Sequence, residues 1–252
     1  MRSSIRFASV LSGALFAVIS LSYAAAPAPA ITAAVSDAGR PAADTARDAD
    51  RHPAESIAIS GMKAGDKVID LIPGGGYFTR IFSKVVGPNG KVYALTPDEM
   101  LSKMAKAADA AKALPAAGYA NVVPISTSIN AIKVPEPVDV VWTSLNYHDM
   151  HNALLGPANM GNYNKSVFNA LKPGGIYIVI DHAATAGSGT RDTDLLHRID
   201  VEAVKAEVMG VGFQLVEESK VLAHPGDDHT DKVFDSGIRG KTDQFLLKFK
   251  KP

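Results

Sequence analysis

The chain has 252 residues, 46% hydrophobic and 21% charged, an ordinary globular balance with length enough for a sizeable core. Lysine plus arginine equals aspartate plus glutamate at 26 each, so no long-range field steers the chain toward nucleic acid, and no such partner is expected. Cysteine is absent, which removes disulfides, thiolate metal sites and a thiol nucleophile.

In chain order, Arg2 and Arg6 precede an apolar run from Phe7 to Leu21, followed by Ser22-Tyr23-Ala24. A positive start, an apolar stretch of about 15 residues broken by Ser9, Ser12, Gly13 and Ser20, and small residues at a cleavage point predict a signal peptide over residues 1–24. The expected location is periplasmic or secreted, with no membrane association after cleavage. Residues 25–52 are Ala, Pro, Asp, Thr and Arg without a sustained apolar period, and are predicted to form a disordered linker.

From Pro53 to Pro252 the pattern is regular and predicts one α/β domain. A short helix is expected over Ala54–Met62, a strand over Lys67–Ile72, and a helix over Tyr77–Val86 stopped by Gly87-Pro88-Asn89-Gly90. A strand over Lys91–Leu95 leads to a long helix over Pro97–Leu114, with Pro first and Asp98 and Glu99 in its opening turn. Strands follow over Asn121–Ile125 and Val138–Leu145, then a helix from about Asn162 to Leu171 that ends at Lys172-Pro173-Gly174-Gly175. The run Ile176–Asp181 is an apolar strand, and Val201–Met209 a helix capped by Asp200. Strands over Phe213–Leu222 and Gln244–Phe249 complete seven. Strands alternating with helices predict a doubly wound, mostly parallel sheet.

The segment Val68-Ile69-Asp70-Leu71-Ile72-Pro73-Gly74-Gly75-Gly76-Tyr77-Phe78 carries the strongest functional signal. A buried strand runs through three glycines directly into a helix. Glycine permits positive φ and close approach of backbone to a ligand, and open parallel sheets bind ligands beyond the carboxyl ends of their strands. This run resembles motif I of the class I S-adenosylmethionine-dependent methyltransferases, closest to exported bacterial members. The similarity extends through Gly90–Leu95, Val138–Trp142 and Leu171-Lys172-Pro173-Gly174-Gly175. The resemblance implies a Rossmann-like seven-stranded sheet with the last strand antiparallel, S-adenosylmethionine as cofactor, and a small-molecule acceptor. It implies cofactor contacts from Asp70, Gly74, Gly75, Gly76, Thr96 and Asn146. Two positions depart from the family. Ile72 stands where the first glycine of the motif falls, and Thr96 where an acid grips the ribose hydroxyls. Exchanging that carboxylate for a hydroxyl costs roughly 1–3 kcal/mol of binding.

Titratable groups gather at the strand ends: Tyr147, His148, Asp149 and His151 after the fourth strand, Asp181 and His182 at the fifth. In the methyltransferase reading Tyr147 lies near the methyl group, and His148 or His182 accepts a proton, so Tyr147, His148 and His182 are the catalytic candidates. The alternative is that His148 and His151 simply open a helix and satisfy local backbone. No metal motif is present, although a hydrolase using a metal on His148, Asp149 and His182 is one alternative function. The other is a periplasmic binding protein on the same fold without enzymatic activity. His197 and Arg198 are read as a helix-opening salt bridge or contacts to an anionic substrate.

Overall fold

The computed structural model describes residues 26–252; the expected signal peptide lies outside the described residues. Seven strands, β1 (Lys67–Leu71), β2 (Lys91–Pro97), β3 (Val122–Thr127), β4 (Val138–Ser144), β5 (Leu171–His182), β6 (Gln214–Ser219) and β7 (Gln244–Lys250), form one sheet ordered β3-β2-β1-β4-β5-β7-β6. Strands β1 to β5 pair in parallel, and β7 runs antiparallel to both β5 and β6. The expected sheet is therefore present, with only the terminal strand reversed.

Side chains alternate across each strand, so one sheet feeds two cores. Val68, Trp142, Ile178 and Ile180 face α5 (Tyr77–Val86), where Phe78, Ile81 and Phe82 cover them. Ile69, Leu71, Val141, Tyr177 and Val179 face the opposite layer, built by α7 (Met160–Ala170) and α8 (Val201–Gly210) through Tyr163, Val167, Val204 and Val208. α8 is capped as expected, Asp200 accepting from the amide of Glu202 at 3.0 Å. At the start of α5, Gly76 adopts φ 85°, and a Cβ there would lie 3.0 Å from Leu114.

Residues 26–52 are not a disordered linker. They fold into α1 (Pro29–Val35), α2 (Ala42–Thr45) and α3 (Asp48–Arg51), and α1 packs on both α4 (Pro53–Ser60) and α5. Ile31 and Ala34 are buried under α5. The rest of the docking is ionic. Arg40 is buried and grips Asp48 with two bonds of 2.7 and 2.8 Å, Arg80 pairs with Asp44 at 2.7 Å, and Tyr77 donates to Asp48 at 2.6 Å. Arg40, Arg47 and Arg51 surround the Tyr77 ring at 5.3, 5.7 and 4.7 Å from its centroid. The segment needs no sustained apolar period because ion pairs within it and onto α5, with guanidinium stacking on Tyr77, hold it in place.

The long helix expected over residues 97–114 is also broken. β2 runs to Pro97, a 3-10 turn covers Asp98–Met100, and α6 spans only Ala105–Ala113. The two acids that suit a helix start are drawn across to β3 instead. Asp98 accepts from the Ser126 hydroxyl, and Glu99 from the Ser128 hydroxyl at 2.7 Å and the Ile129 amide at 3.0 Å. No helix among the described residues is long and apolar enough to cross a membrane.

Candidate functional site

Strand order reverses between β1 and β4, and a crevice opens beyond their carboxyl ends, the usual ligand site of an open parallel sheet. The crevice encloses about 290 Å³. Its floor is Asp70 and the turn from Ile72 to Gly75, one wall is Ser144 to Asn146 with His148, Asp149 and His182, and its cover is Asp44, Arg47 and Arg51 of the N-terminal helices. A neighbouring cavity of about 500 Å³ shares Arg47, Arg51, Leu145, His182 and Phe234, then extends to Thr242 and Gln244.

Backbone strain collects at this crevice. Ile72 and Leu145, the first residues after β1 and β4, have φ of 59° and 60°, the left-handed region that costs a side-chain-bearing residue roughly 1–3 kcal/mol. Ile72 thus keeps the backbone conformation that glycine would adopt at its place in the turn. Its amide donates to Leu95 at 2.9 Å, which tethers the turn to β2.

Asp70 lies on the α5 face of β1 and accepts from the Thr79 hydroxyl at 2.5 Å. Burial pushes its carboxyl up to about 6, against the pull of Thr79 and Arg51. Gly74 and Gly75 line the crevice, and a Cβ at either would meet no atom within 4 Å, so their backbone faces open space. Gly76 does not line it; its role is the α5 turn. Asn146 bonds to the carbonyl of Ser144 at 2.6 Å and reaches that of Ile72 at 3.4 Å, tying the two strand-end turns together.

Arg47 and Arg51 pair with no carboxylate among the described residues, although both stand at the crevice. Burial and the charge of Arg47 pull Arg51 down to about 10, which leaves it cationic at neutral pH. These two groups lay in the segment read as a linker. In the structure Arg47 stands just before α3 and Arg51 ends it.

The histidines are placed by strand alternation. Asp181 falls on the α8 side of β5, where it accepts from the His148 ring at Nδ1 (2.8 Å) and from the His148 amide (2.7 Å). Burial opposes the imidazolium form of His148, but Asp181 and Asp149 outweigh it and raise its pKa. His182 falls on the other face. Its Nδ1 meets the Thr242 hydroxyl at 2.8 Å, and burial depresses it to about 3, so this ring is neutral. The two rings are 6.2 Å apart.

Two expected residues stand apart from this group. Tyr147 is fully buried in the core beneath the crevice, donating to Glu207 at 2.9 Å and accepting from Asn164 at 2.9 Å. Thr96 lines a separate cavity of about 120 Å³ with Lys112, Pro124 and Ser126. Arg198 is a buried structural residue: it is bidentate to Asp227 at 2.7 and 3.1 Å and also donates to two carbonyls.

No protein-family model matches the chain. It is similar to the ubiquinone/menaquinone biosynthesis C-methyltransferase UbiE of Yersinia enterocolitica, 29% identical over 129 residues, which cover 50% of this chain and 46% of that protein. The chain thus spans about half the length of the curated relatives it matches. Among solved structures it resembles an S-adenosylmethionine-dependent methyltransferase from Aquifex aeolicus (TM-score 0.55, 20% identity, 78% of this chain and 87% of that one). It also resembles the 4+2 cyclase SpnF (TM-score 0.56, 16% identity, 86% of each chain). The strand order, the reversed final strand and the glycine turn at the switch point together give this chain the fold of the class I S-adenosylmethionine-dependent methyltransferases.

Proposed function

We propose that the protein is an exported S-adenosylmethionine-dependent methyltransferase that acts on a small-molecule acceptor. The observation that carries this reading is a single crevice at the glycine turn that joins a buried acid, Asp70, to two cations, Arg47 and Arg51, without carboxylate partners among the described residues. A ligand bearing cationic centres and a carboxylate complements that arrangement, and the methionine end of the cofactor has both. When bound, S-adenosylmethionine supplies an activated methyl group.

The chain's own residues then bind and orient. Asp70 attracts a cationic centre, Arg51 and Arg47 a carboxylate, and the bare backbone of Gly74 and Gly75 admits close contact. Asn146 holds the two strand-end turns in fixed relation. The neighbouring cavity, which shares Arg47, Arg51 and His182 with the crevice, offers room for the acceptor. Rate acceleration comes chiefly from holding acceptor and methyl group in line. The nucleoside end is less well served. Thr96 lines another cavity, and Asp98 and Glu99 are engaged with Ser126 and Ser128, so affinity rests on the methionine end.

Incubation with methyl-labelled S-adenosylmethionine and a panel of small acceptors tests the activity. Label found in an acceptor supports it, while tight cofactor binding without transfer to any acceptor favours a binding protein. Export is tested by cell fractionation with N-terminal sequencing: a periplasmic form beginning at Ala25 or Pro27 is expected, and a cytosolic form retaining Met1 contradicts it.

A further inference from the structure

We infer that the chain holds a divalent transition-metal ion, zinc in the first instance, between His148, Asp149 and His197 at the wall of the crevice. The three donor atoms form a triangle. His148 Nε2 is 3.2 Å from His197 Nδ1 and 3.4 Å from Asp149 Oδ1, and the latter two are 3.8 Å apart. A tetrahedral zinc ion with bonds of about 2.0–2.1 Å spaces its ligands about 3.3–3.4 Å from one another. The triangle therefore has the edge lengths of one face of that tetrahedron, and imidazole and carboxylate donors suit zinc.

The surroundings are those of a supported site. The Nδ1 of His148 is occupied by Asp181 at 2.8 Å, which fixes the proton there and leaves the lone pair of Nε2 for a metal. Asp181 is itself fully buried and anchored by the amides of His148 and His182 at 2.7 and 2.8 Å. Asn152 donates to Asp149 Oδ1 at 2.7 Å and so orients the second ligand. His197 has φ 56°, an uncommon backbone for a residue with a side chain, and Phe234 lies edge-on to its ring at 4.8 Å. Strain and packing thus hold the His197 ring against the other two ligands.

His182 does not belong to this set: it does not come within the same mutual distance of the three donor atoms, and its Nδ1 meets the Thr242 hydroxyl. His148 and Asp149 line the crevice, so an ion held on them borders it, and a water or a substrate oxygen can take the fourth position. The inference rests on the donor geometry alone and does not require a methyl donor.

The test is competition for zinc between the untagged, chelator-treated full chain and a chromophoric chelator, with cobalt substitution as a second readout. The wild-type protein is expected to take up a single tight equivalent and to show the intense visible absorption of tetrahedral cobalt. His197→Ala and His197→Gln should each weaken zinc at least a hundredfold, and Asp181→Asn, which alters only the supporting shell, about ten- to a hundredfold. Circular dichroism melts verify that the variants are folded. Two results overturn the inference: wild-type protein that takes up no zinc at micromolar concentrations, or folded His197 variants that bind zinc as tightly as wild type.

Discussion

Asp70→Asn isolates the one buried acid in the crevice. Its carboxyl titrates near 3.8 in the unfolded chain and is pushed up to about 6 by burial in the folded one. The folded state therefore holds a proton that the unfolded state releases over that interval. Stability from this group is full below about pH 4, falls as pH rises toward 6, and is flat above. A rise of roughly 2 units at 1.36 kcal/mol each is about 3 kcal/mol. Asparagine is isosteric, carries no charge, and its carbonyl still accepts from Thr79. Urea denaturation of both proteins from pH 4 to pH 7 gives the difference directly. The variant should gain on the wild type by about 3 kcal/mol across that range, with most of the gain between pH 4 and 6. A difference independent of pH refutes the argument. A bound cation favours the charged carboxylate, so wild-type affinity for S-adenosylmethionine should rise with pH through 6, and that of Asp70→Asn should not.

Arg51→Gln and Arg47→Gln should each weaken S-adenosylhomocysteine about tenfold by calorimetry, with a fall in thermal midpoint limited to the lost stacking on Tyr77, because neither arginine pairs with a carboxylate among the described residues. Thr96→Asp, in a cavity separate from the crevice, should leave S-adenosylmethionine affinity within about twofold of wild type by calorimetry; a tightening of about tenfold would show that the ribose reaches β2. Arg40→Ala strands Asp48 in a half-buried position and should cost about 2–3 kcal/mol locally, seen as faster hydrogen exchange across residues 29–51 while the sheet stays protected.

Much of the architecture was legible because it rests on local rules. The apolar strands and the Tyr77–Val86 helix stand where alternation, glycine breaks and caps place them. The α5 turn needs a positive φ at Gly76, a requirement visible as glycine in the sequence. What escaped depends on contacts far apart in the chain. The helices of residues 29–51 form through Arg40, Asp44 and Asp48 meeting Tyr77 and Arg80, which no window of sequence brings together. Asp98 and Glu99 read as helix-opening acids until Ser126 and Ser128 of a neighbouring segment claim them. At the site, the sequence singled out Asp70, Asn146, His148 and His182, and the fold gathers all four around one crevice. Tyr147 turns the other way, into the core, while Asn146 and His148 on either side of it line the crevice.

The central claim, that the crevice over the glycine turn accepts the methionine end of an adenosyl ligand, is met most directly by a crystal structure of the protein with S-adenosylhomocysteine. The account predicts the ligand's carboxylate beside the Arg51 guanidinium and its amino group within reach of Asp70. A complex with the ligand elsewhere on the surface, or with the methionine end pointing away from Arg51, contradicts it.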